Sequence, residues 1–232
     1  GHGRDSFVLG KAVIPSNRAA AKPQAPAHFR EVHPRPCRRM IPAIMTDFHS
    51  HFPPRNTRTH EVCGPSATAF AFALGARLGG TVLWLREAWQ SEQINPTGFA
   101  AYLDPQRLLV ALAPSHLDVL AAAEEALRSG DVALVVMEIT QPVGLTEGRR
   151  LQLAAQTGNT TGLCLLPEGM GSNAAQTRCR CTPVFDDAAH GSDSTLQHWE
   201  IIKNKSGTLK AWTVKWDAGT RRISVVSQTA QR

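Results

Sequence analysis

Residues 60–74 have the sequence HEVCGPSATAFAFAL, in which a short apolar strand, a Gly-Pro-Ser turn and an alanine-rich helix follow one another. Phe70, Leu74 and Leu78 recur at helical spacing, so residues 66–78 are predicted to form a helix with one apolar stripe. Further apolar strands are predicted at 81–85, 108–112, 132–137 and 161–166. Helical segments separate these strands, which predicts βαβ units and a mostly parallel sheet flanked by helices.

Two of the intervening helices have recognisable ends. Asn95 and Pro96 are typical of an N-cap and a first helical residue. Ser115 and Asp118 resemble a capping box, with Asp in place of Glu, and Gly130 is predicted to terminate the helix that they open.

The last third of the chain has a different pattern. Strands with short connections are predicted at 177–184, 197–204, 209–216 and 221–227. Residues 206–207 and 218–219 are typical of hairpin turns. Alternation places Trp212 and Trp216 on one face of their strand and Lys215 on the other. The fold class is therefore α/β, with antiparallel strands at the C-terminal end of the sheet.

The net charge of +6 is unevenly distributed. Residues 1–60 carry ten basic and three acidic side chains, residues 61–198 carry eight and fourteen, and residues 199–232 carry seven and two. Residues 1–55 also contain eight prolines, which predicts a basic, poorly ordered arm before an α/β domain at 56–232. Clustered positive charge favours contact with DNA through the two ends, and simple solvation of both ends is the alternative.

The turn after the first strand is where a P-loop would lie. The phosphate-binding pattern G-x-x-x-x-G-K-[ST], started at Gly64, would need Gly-Lys-Ser/Thr at 69–71, where the chain has Ala-Phe-Ala. No lysine occurs between Lys22 and Lys203, so no shift of register restores it. Because that lysine stabilises phosphoryl transfer, we expect neither ATPase activity nor a bound cofactor.

Two carboxylates stand where a nucleotide-binding fold places them. Glu138 ends the 132–137 strand, at the position of a magnesium ligand, and Glu87 follows the 81–85 strand, at the position of a water-activating group. Each alone is more typical of an ordinary strand end. Together with the turn they predict a degenerate nucleotide site consisting of Gly64, Pro65, Ser66, Thr68, Glu87 and Glu138.

The cysteines and histidines give little support for a metal site. Cys179 and Cys181 form a C-x-C pair with no second pair at ligand spacing. In a strand they would share the buried face, with Arg178 and Arg180 facing outward. An odd total of five cysteines favours a reducing cytoplasm, and no apolar run is long enough to span a membrane.

Several segments resemble the ImuA family of bacterial RecA-like accessory factors of translesion synthesis. They are HEVCGPSATAFAFAL (60–74), SHLDVLAAAEEALRSG (115–130), VALVVMEI (132–139), LTEGRRLQLAAQTGNTTGLCL (145–165), AAQTRCRCTP (174–183), HWEI (198–201) and AWTVKWD (211–217). The resemblance covers about 60–220. It implies a RecA-like core and a nucleoid-associated role in SOS mutagenesis. The implied partners are an ImuB-like Y-family polymerase homologue, RecA and DNA.

Two groups of cations are predicted to contact DNA. Arg149 and Arg150 begin a helix near the place of the DNA-binding loops in RecA folds, and a solvated first turn or pairing with Glu147 is the alternative. The C-terminal cations alternate with tryptophans, a combination that binds single strands by charge and stacking. The C-terminal candidates are Lys203, Lys205, Lys210, Lys215, Arg221 and Arg222.

The sequence thus predicts a non-catalytic RecA-fold adaptor in DNA damage tolerance, which scaffolds an error-prone polymerase complex. Two alternatives stay open. One is a nucleotide-dependent ATPase or switch with an unorthodox phosphate loop, and the other is a single-stranded DNA-binding protein.

Overall fold

The structure, a computed structural model, describes residues 47–186 and 195–229, so most of the predicted arm lies outside the described residues. Within the described residues nine strands form one sheet. They are β1 (Thr59–Cys63), β2 (Val82–Glu87), β3 (Leu108–Ala113), β4 (Leu134–Glu138), β5 (Thr161–Leu165), β6 (Thr177–Pro183), β7 (Leu196–Asn204), β8 (Ala211–Asp217) and β9 (Arg222–Thr229).

The strand order is β3-β2-β4-β5-β1-β6-β7-β8-β9. All pairs from β3 to β6 are parallel, and the pairs from β6 to β9 are antiparallel. The predicted mostly parallel sheet with antiparallel C-terminal strands is therefore confirmed. Each predicted strand agrees with an observed one to within about two residues at either end.

Four α-helices lie wholly within the described residues: α1 (Ala67–Leu78), α2 (Pro96–Phe99), α3 (His116–Ser129) and α4 (Leu145–Thr157); residues 47–49 are also helical, and Pro105–Arg107 form a 3₁₀ turn. One face of the sheet packs with α1 and α2, and the other packs with α3 and α4. The Asn95 side chain caps α2, and Gly130 ends α3 with φ +81°, as predicted. The Asp118 side chain does not complete a capping box, because its carboxylate accepts a hydrogen bond from the Ser115 hydroxyl (2.6 Å).

The described segment 47–55, which the sequence predicts as the end of the arm, packs against the α/β domain. Phe48 and Phe52 are buried in the core, where Phe48 contacts Trp212 edge-on with ring centroids 5.4 Å apart. Burial of the two aromatic rings stabilises this segment on the domain. The domain therefore includes residues 47–55.

A buried ion pair joins β1 to β6. Glu61 is only 2% exposed, and its carboxylate accepts from the Arg178 guanidinium (2.7 Å) and from the Ser172 backbone N–H (2.7 Å). Arg178 also donates to the Ser172 carbonyl (3.1 Å). The prediction that Arg178 faces outward is wrong, because this face of β6 is covered by residues around Ser172. Cys181 is buried on the opposite face, as predicted.

Replacement of Arg178 is expected to destabilise the domain strongly. Arg178→Met leaves the Glu61 carboxylate buried without a counter-ion, so the free energy of unfolding should fall by about 3–5 kcal/mol. The matched control is Arg180→Met on the same strand, where exposed partners predict a loss below about 1 kcal/mol. Urea unfolding measures both. Equal losses for the two variants would contradict a special role for the buried pair.

His60 ties β1 to the segment 47–55. Its side chain is buried, its Nε2–H donates to the Arg55 carbonyl (2.7 Å), and its Nδ1 accepts from the Thr177 hydroxyl (2.7 Å). Burial lowers the pKa of His60 from 6.5 to about 4. The folded protein therefore holds a neutral imidazole at a pH where the unfolded chain is already protonated.

Acidification is expected to destabilise the fold through this histidine. The unfolded chain takes up the proton first, so stability is lost as the pH falls below about 6.5, and the loss levels off below about 4 at roughly 3 kcal/mol. Urea unfolding at pH 7 and pH 4.5 should show a smaller difference for His60→Gln than for the wild type. The exposed His49→Gln variant should retain the wild-type difference in stability between the two pH values. An equally reduced difference in this control would refute the assignment of the pH dependence to His60.

Candidate functional site

The β1–α1 turn contains only Gly64, Pro65 and Ser66, and it is closed against β6. Gly64 has φ +93°, and a Cβ there would lie 2.5 Å from the carbonyl oxygen of Cys181. The Ser66 backbone N–H donates to the same oxygen (3.0 Å). Glycine is therefore required both by the left-handed backbone and by the close approach.

This turn cannot hold phosphate as a P-loop does. A P-loop needs a longer run of residues whose amides face the phosphates, with a lysine at the start of the helix. Here one turn amide is already bonded to a protein carbonyl, and Thr68 lies directly inside α1. The predicted strand–turn–helix junction is present. Its turn is shorter than a P-loop and is hydrogen-bonded to β6.

A cavity of about 850 Å³ lies beside this turn, at the carboxyl ends of β2 and β4. Pro65 and Thr68 line it from the start of α1, and Glu138 lines it from the end of β4. Clefts at the carboxyl ends of parallel strands are the usual ligand sites of α/β sheets. Gly64, Ser66 and Glu87 are not among its lining residues.

Both carboxylate oxygens of Glu138 are bonded to other groups of the protein. One carboxylate oxygen accepts from the Trp84 indole N–H (2.7 Å), and the other pairs with the Arg86 guanidinium (3.1 Å). Arg86 donates in addition to the Gln90 side chain (2.9 Å) and to the Glu92 carbonyl. Sequence reasoning missed Arg86, although a lone arginine at the end of an apolar strand was the available signal.

Glu87 does not join Glu138 in one site. Neighbouring residues of a strand point to opposite faces, and Arg86 shares the face of Glu138, so Glu87 lies on the other side of the sheet. Hydrogen bonds from the Thr140 and Trp89 side chains hold the pKa of Glu87 below its usual range. The grouping of both carboxylates in one degenerate site is corrected accordingly, and the Glu87 carboxylate instead accepts from the Thr140 hydroxyl.

Most of the predicted DNA-binding cations are used inside the protein. Lys203 donates to the carbonyls of Ser172 (2.7 Å) and Ala175 (3.0 Å), and Lys205 donates to the carbonyl of Ala174 (2.6 Å). Burial lowers the pKa of Lys203. These two lysines hold the segment before β6 in place, so they are not the free DNA-binding cations that the sequence predicts.

Three further candidates have acidic partners. The ion pairs are Lys210–Asp47, Lys215–Asp186 (3.4 Å) and Arg150–Glu124 (2.7 Å). Arg150 thus pairs with α3 and not with Glu147. Surface pairs of this kind contribute little to stability, yet they reduce the charge offered to an anion.

The remaining candidates are exposed cations without such partners. Within the part of the chain that the structure describes, no ion pair or hydrogen bond forms at the side chains of Arg149, Arg221 or Arg222. Arg221 and Arg222 line one cavity together with Arg77 of α1. Arg77 was not predicted, and nothing in its helical sequence context distinguishes it.

The described cysteines are buried or half-buried free thiols. Burial raises the pKa of Cys179 to about 12, so this thiol is protonated at neutral pH. Across residues 47–186 and 195–229, no three His, Cys, Asp or Glu side chains are grouped as a metal site would require. No helix in the same ranges is long and apolar enough to cross a membrane.

Millimolar MgATP is expected to change the melting temperature no more than the same concentration of magnesium triphosphate does. A ligand that binds only the folded state raises its stability, and the closed β1–α1 turn offers ATP no specific phosphate site. No release of inorganic phosphate should occur. A rise specific to ATP, or turnover, would contradict this expectation and favour a nucleotide-dependent switch.

Comparison with known proteins leaves the family open. No protein-family profile matches the chain, and no curated protein is significantly similar to it. The resemblance to ImuA therefore stays a prediction that rests on the quoted segments.

Proposed function

We propose that this chain is a non-catalytic RecA-like adaptor in DNA damage tolerance, which brings together protein components of an error-prone polymerase complex. The resemblance of residues 60–220 to ImuA supports this proposal, as does the closed turn where a phosphate loop would lie. The observation that carries it is the edge strand β3, because an adaptor needs an exposed surface that a partner can cover.

β3 is an unprotected apolar edge. Within the described residues it pairs only with β2, and its sequence LLVALA contains no charged residue and no proline. Soluble proteins usually protect a sheet edge with lysine, proline, a bulge or a covering element, since free N–H and C=O groups invite pairing with another chain. An edge without these devices is typical of a surface that a partner strand covers.

Apolar side chains are exposed on both sides of this edge. In the register of β3 with β2, Val110 and Leu112 lie opposite Trp84 and Arg86, whereas Leu109 lies on the other face. Trp89 and Leu117 are exposed beside the carboxyl end of the strand. We call Trp89, Leu109, Val110, Leu112 and Leu117 the edge patch. Half of the large exposed apolar side chains in the described residues belong to it.

The edge patch has the composition of a protein-binding surface. Tryptophan is enriched among residues that dominate binding energy, and Trp89 is 68% exposed. An incoming strand would pair with the β3 backbone while its side chains cover Leu109 on one face and Leu112 on the other. RecA and an ImuB-like Y-family polymerase homologue are the partners that the ImuA resemblance suggests.

Charge placed on the edge patch is expected to weaken partner binding. Leu112→Lys should weaken association with RecA or with the polymerase homologue by about tenfold or more, which corresponds to about 1.4 kcal/mol. The matched control is Leu153→Lys on α4, since both leucines are 63% exposed. Size-exclusion chromatography and titration of the purified proteins measure the effect. Wild-type affinity for Leu112→Lys, or an equal loss for Leu153→Lys, would count against the proposal.

One observation favours a second candidate, a nucleotide-dependent switch. The cavity of about 850 Å³ at the carboxyl ends of β2 and β4 is large enough for a nucleotide. Of its charged lining residues, however, Glu138 and Arg86 are already paired with each other, and Glu92 is exposed. The MgATP titration distinguishes this candidate from the adaptor.

A further inference from the structure

A separate cavity of about 470 Å³ lies between the segment 47–55, the C-terminal turns of α1 and the β8–β9 hairpin. Its charged lining consists of Arg77, Arg221 and Arg222, and no acidic residue of the described ranges lines it. Phe52, Trp216 and other apolar side chains form the remaining walls. The cavity therefore combines three guanidinium groups with an aromatic floor.

These three arginines, like Arg55 and Arg149, have no side-chain partner among the described residues, and they are the ones that lie around one cavity. Every lysine of residues 47–186 and 195–229 donates to a protein oxygen, and Arg178 and Arg150 form ion pairs. Within the same ranges the side chains of Arg77, Arg221 and Arg222 have neither a hydrogen bond nor an ion pair. Like charges gathered without a counter-charge create a positive potential that attracts an anion.

The backbone at Arg221 is a second, independent sign of a site. Asp217 accepts from the N–H groups of Gly219 (2.9 Å) and Thr220 (3.1 Å), which fixes the hairpin turn. Arg221 then adopts φ +50°, a left-handed position that glycine or asparagine normally occupies. The turn alone does not explain an arginine there. Strained residues of this kind are concentrated at binding sites.

We propose that this cavity binds nucleotide units of single-stranded DNA. Arginine is the side chain best suited to phosphate, because its planar donors match the phosphate oxygens. The aromatic rings are nearly buried, with Phe52 5% and Trp216 6% exposed, so they offer an unstacked base only an apolar edge and the arginines provide most of the recognition. A free nucleotide offers the same phosphate chemistry, but three cations around one cavity can contact more than one phosphate of a strand.

The DNA site goes beyond the proposed adaptor function and is structurally separate from it. β3 forms one edge of the nine-stranded sheet of the described residues, and the β8–β9 hairpin forms the other. At about 4.8 Å per strand, the two edges lie roughly 38 Å apart. One chain would then hold a protein partner at the first edge and DNA at the second, without direct interference between them.

The test uses the full chain and a fluorescently labelled oligothymidylate, with affinity measured as a function of salt. Arg77→Gln combined with Arg222→Gln should weaken binding by about tenfold or more. For single strands each lost phosphate contact lowers the slope of log K against log salt by about 0.7, so the double variant should lose about 1.4. Arg221→Gly should also weaken binding, while its melting temperature stays equal or rises because glycine relieves the left-handed strain.

The matched control is Arg180→Gln on β6, whose side chain is paired with Glu168 and Glu200 and which should leave the affinity unchanged. Wild-type affinity of the arginine variants, or an equal loss in Arg180→Gln, would overturn the proposal. Competition by thymidine monophosphate as strong as that by the oligonucleotide would overturn it in favour of a mononucleotide site. Binding of each variant to the protein partner is measured in parallel, so failure of the DNA site is distinguishable from failure of the adaptor function.

Discussion

The ion pair between Glu61 and Arg178 is the interaction on which the rest of the structure depends. It joins β1 to β6, the last parallel pair of the sheet, next to the antiparallel strands β7, β8 and β9. A carboxylate this deeply buried is tolerated only with a counter-ion and hydrogen bonds for its remaining lone pairs, and Arg178 and the Ser172 amide supply them. The same junction brings the Cys181 carbonyl against Gly64 and Ser66, which closes the β1–α1 turn. The contact between β1 and β6 therefore also fixes the conformation of the β1–α1 turn.

Joining the two halves gives the sheet two edges with different chemistry. The β3 edge is apolar and uncharged, whereas the hairpin at the other edge carries arginines without protein partners in the described ranges. Between these edges the polar groups are mostly satisfied internally: Glu138 by Arg86 and Trp84, and Glu87 by Thr140 and Trp89. The described residues thus divide between exposed groups at the two edges and internally bonded polar groups between them.

Local patterns predicted the elements well, and long-range partners account for what they missed. Apolar runs and helix caps such as Asn95 and Gly130 depend only on residues close together in the sequence. The strand–helix order and the antiparallel end of the sheet could therefore be predicted. The burial of Phe48 depends on Trp212, and the bonding of Lys203 depends on carbonyls about thirty residues earlier. Glu87 and Glu138 each sit at a strand end, but only the register shows that they face opposite sides. The cluster of Arg77 with Arg221 and Arg222 likewise arises from tertiary packing alone.

Hydrogen–deuterium exchange of the full chain, alone and mixed with RecA or the polymerase homologue, tests the adaptor function most directly. A partner strand paired with β3 would slow exchange of the amides in Leu108–Ala113, because edge amides that face solvent would become hydrogen-bonded. Amides of the β1–α1 turn should exchange at the same rate in both samples. Protection confined to β3 and its flanks is the predicted result. Unchanged exchange in β3, with protection elsewhere in the sheet or in the β1–α1 turn, would contradict docking at this edge.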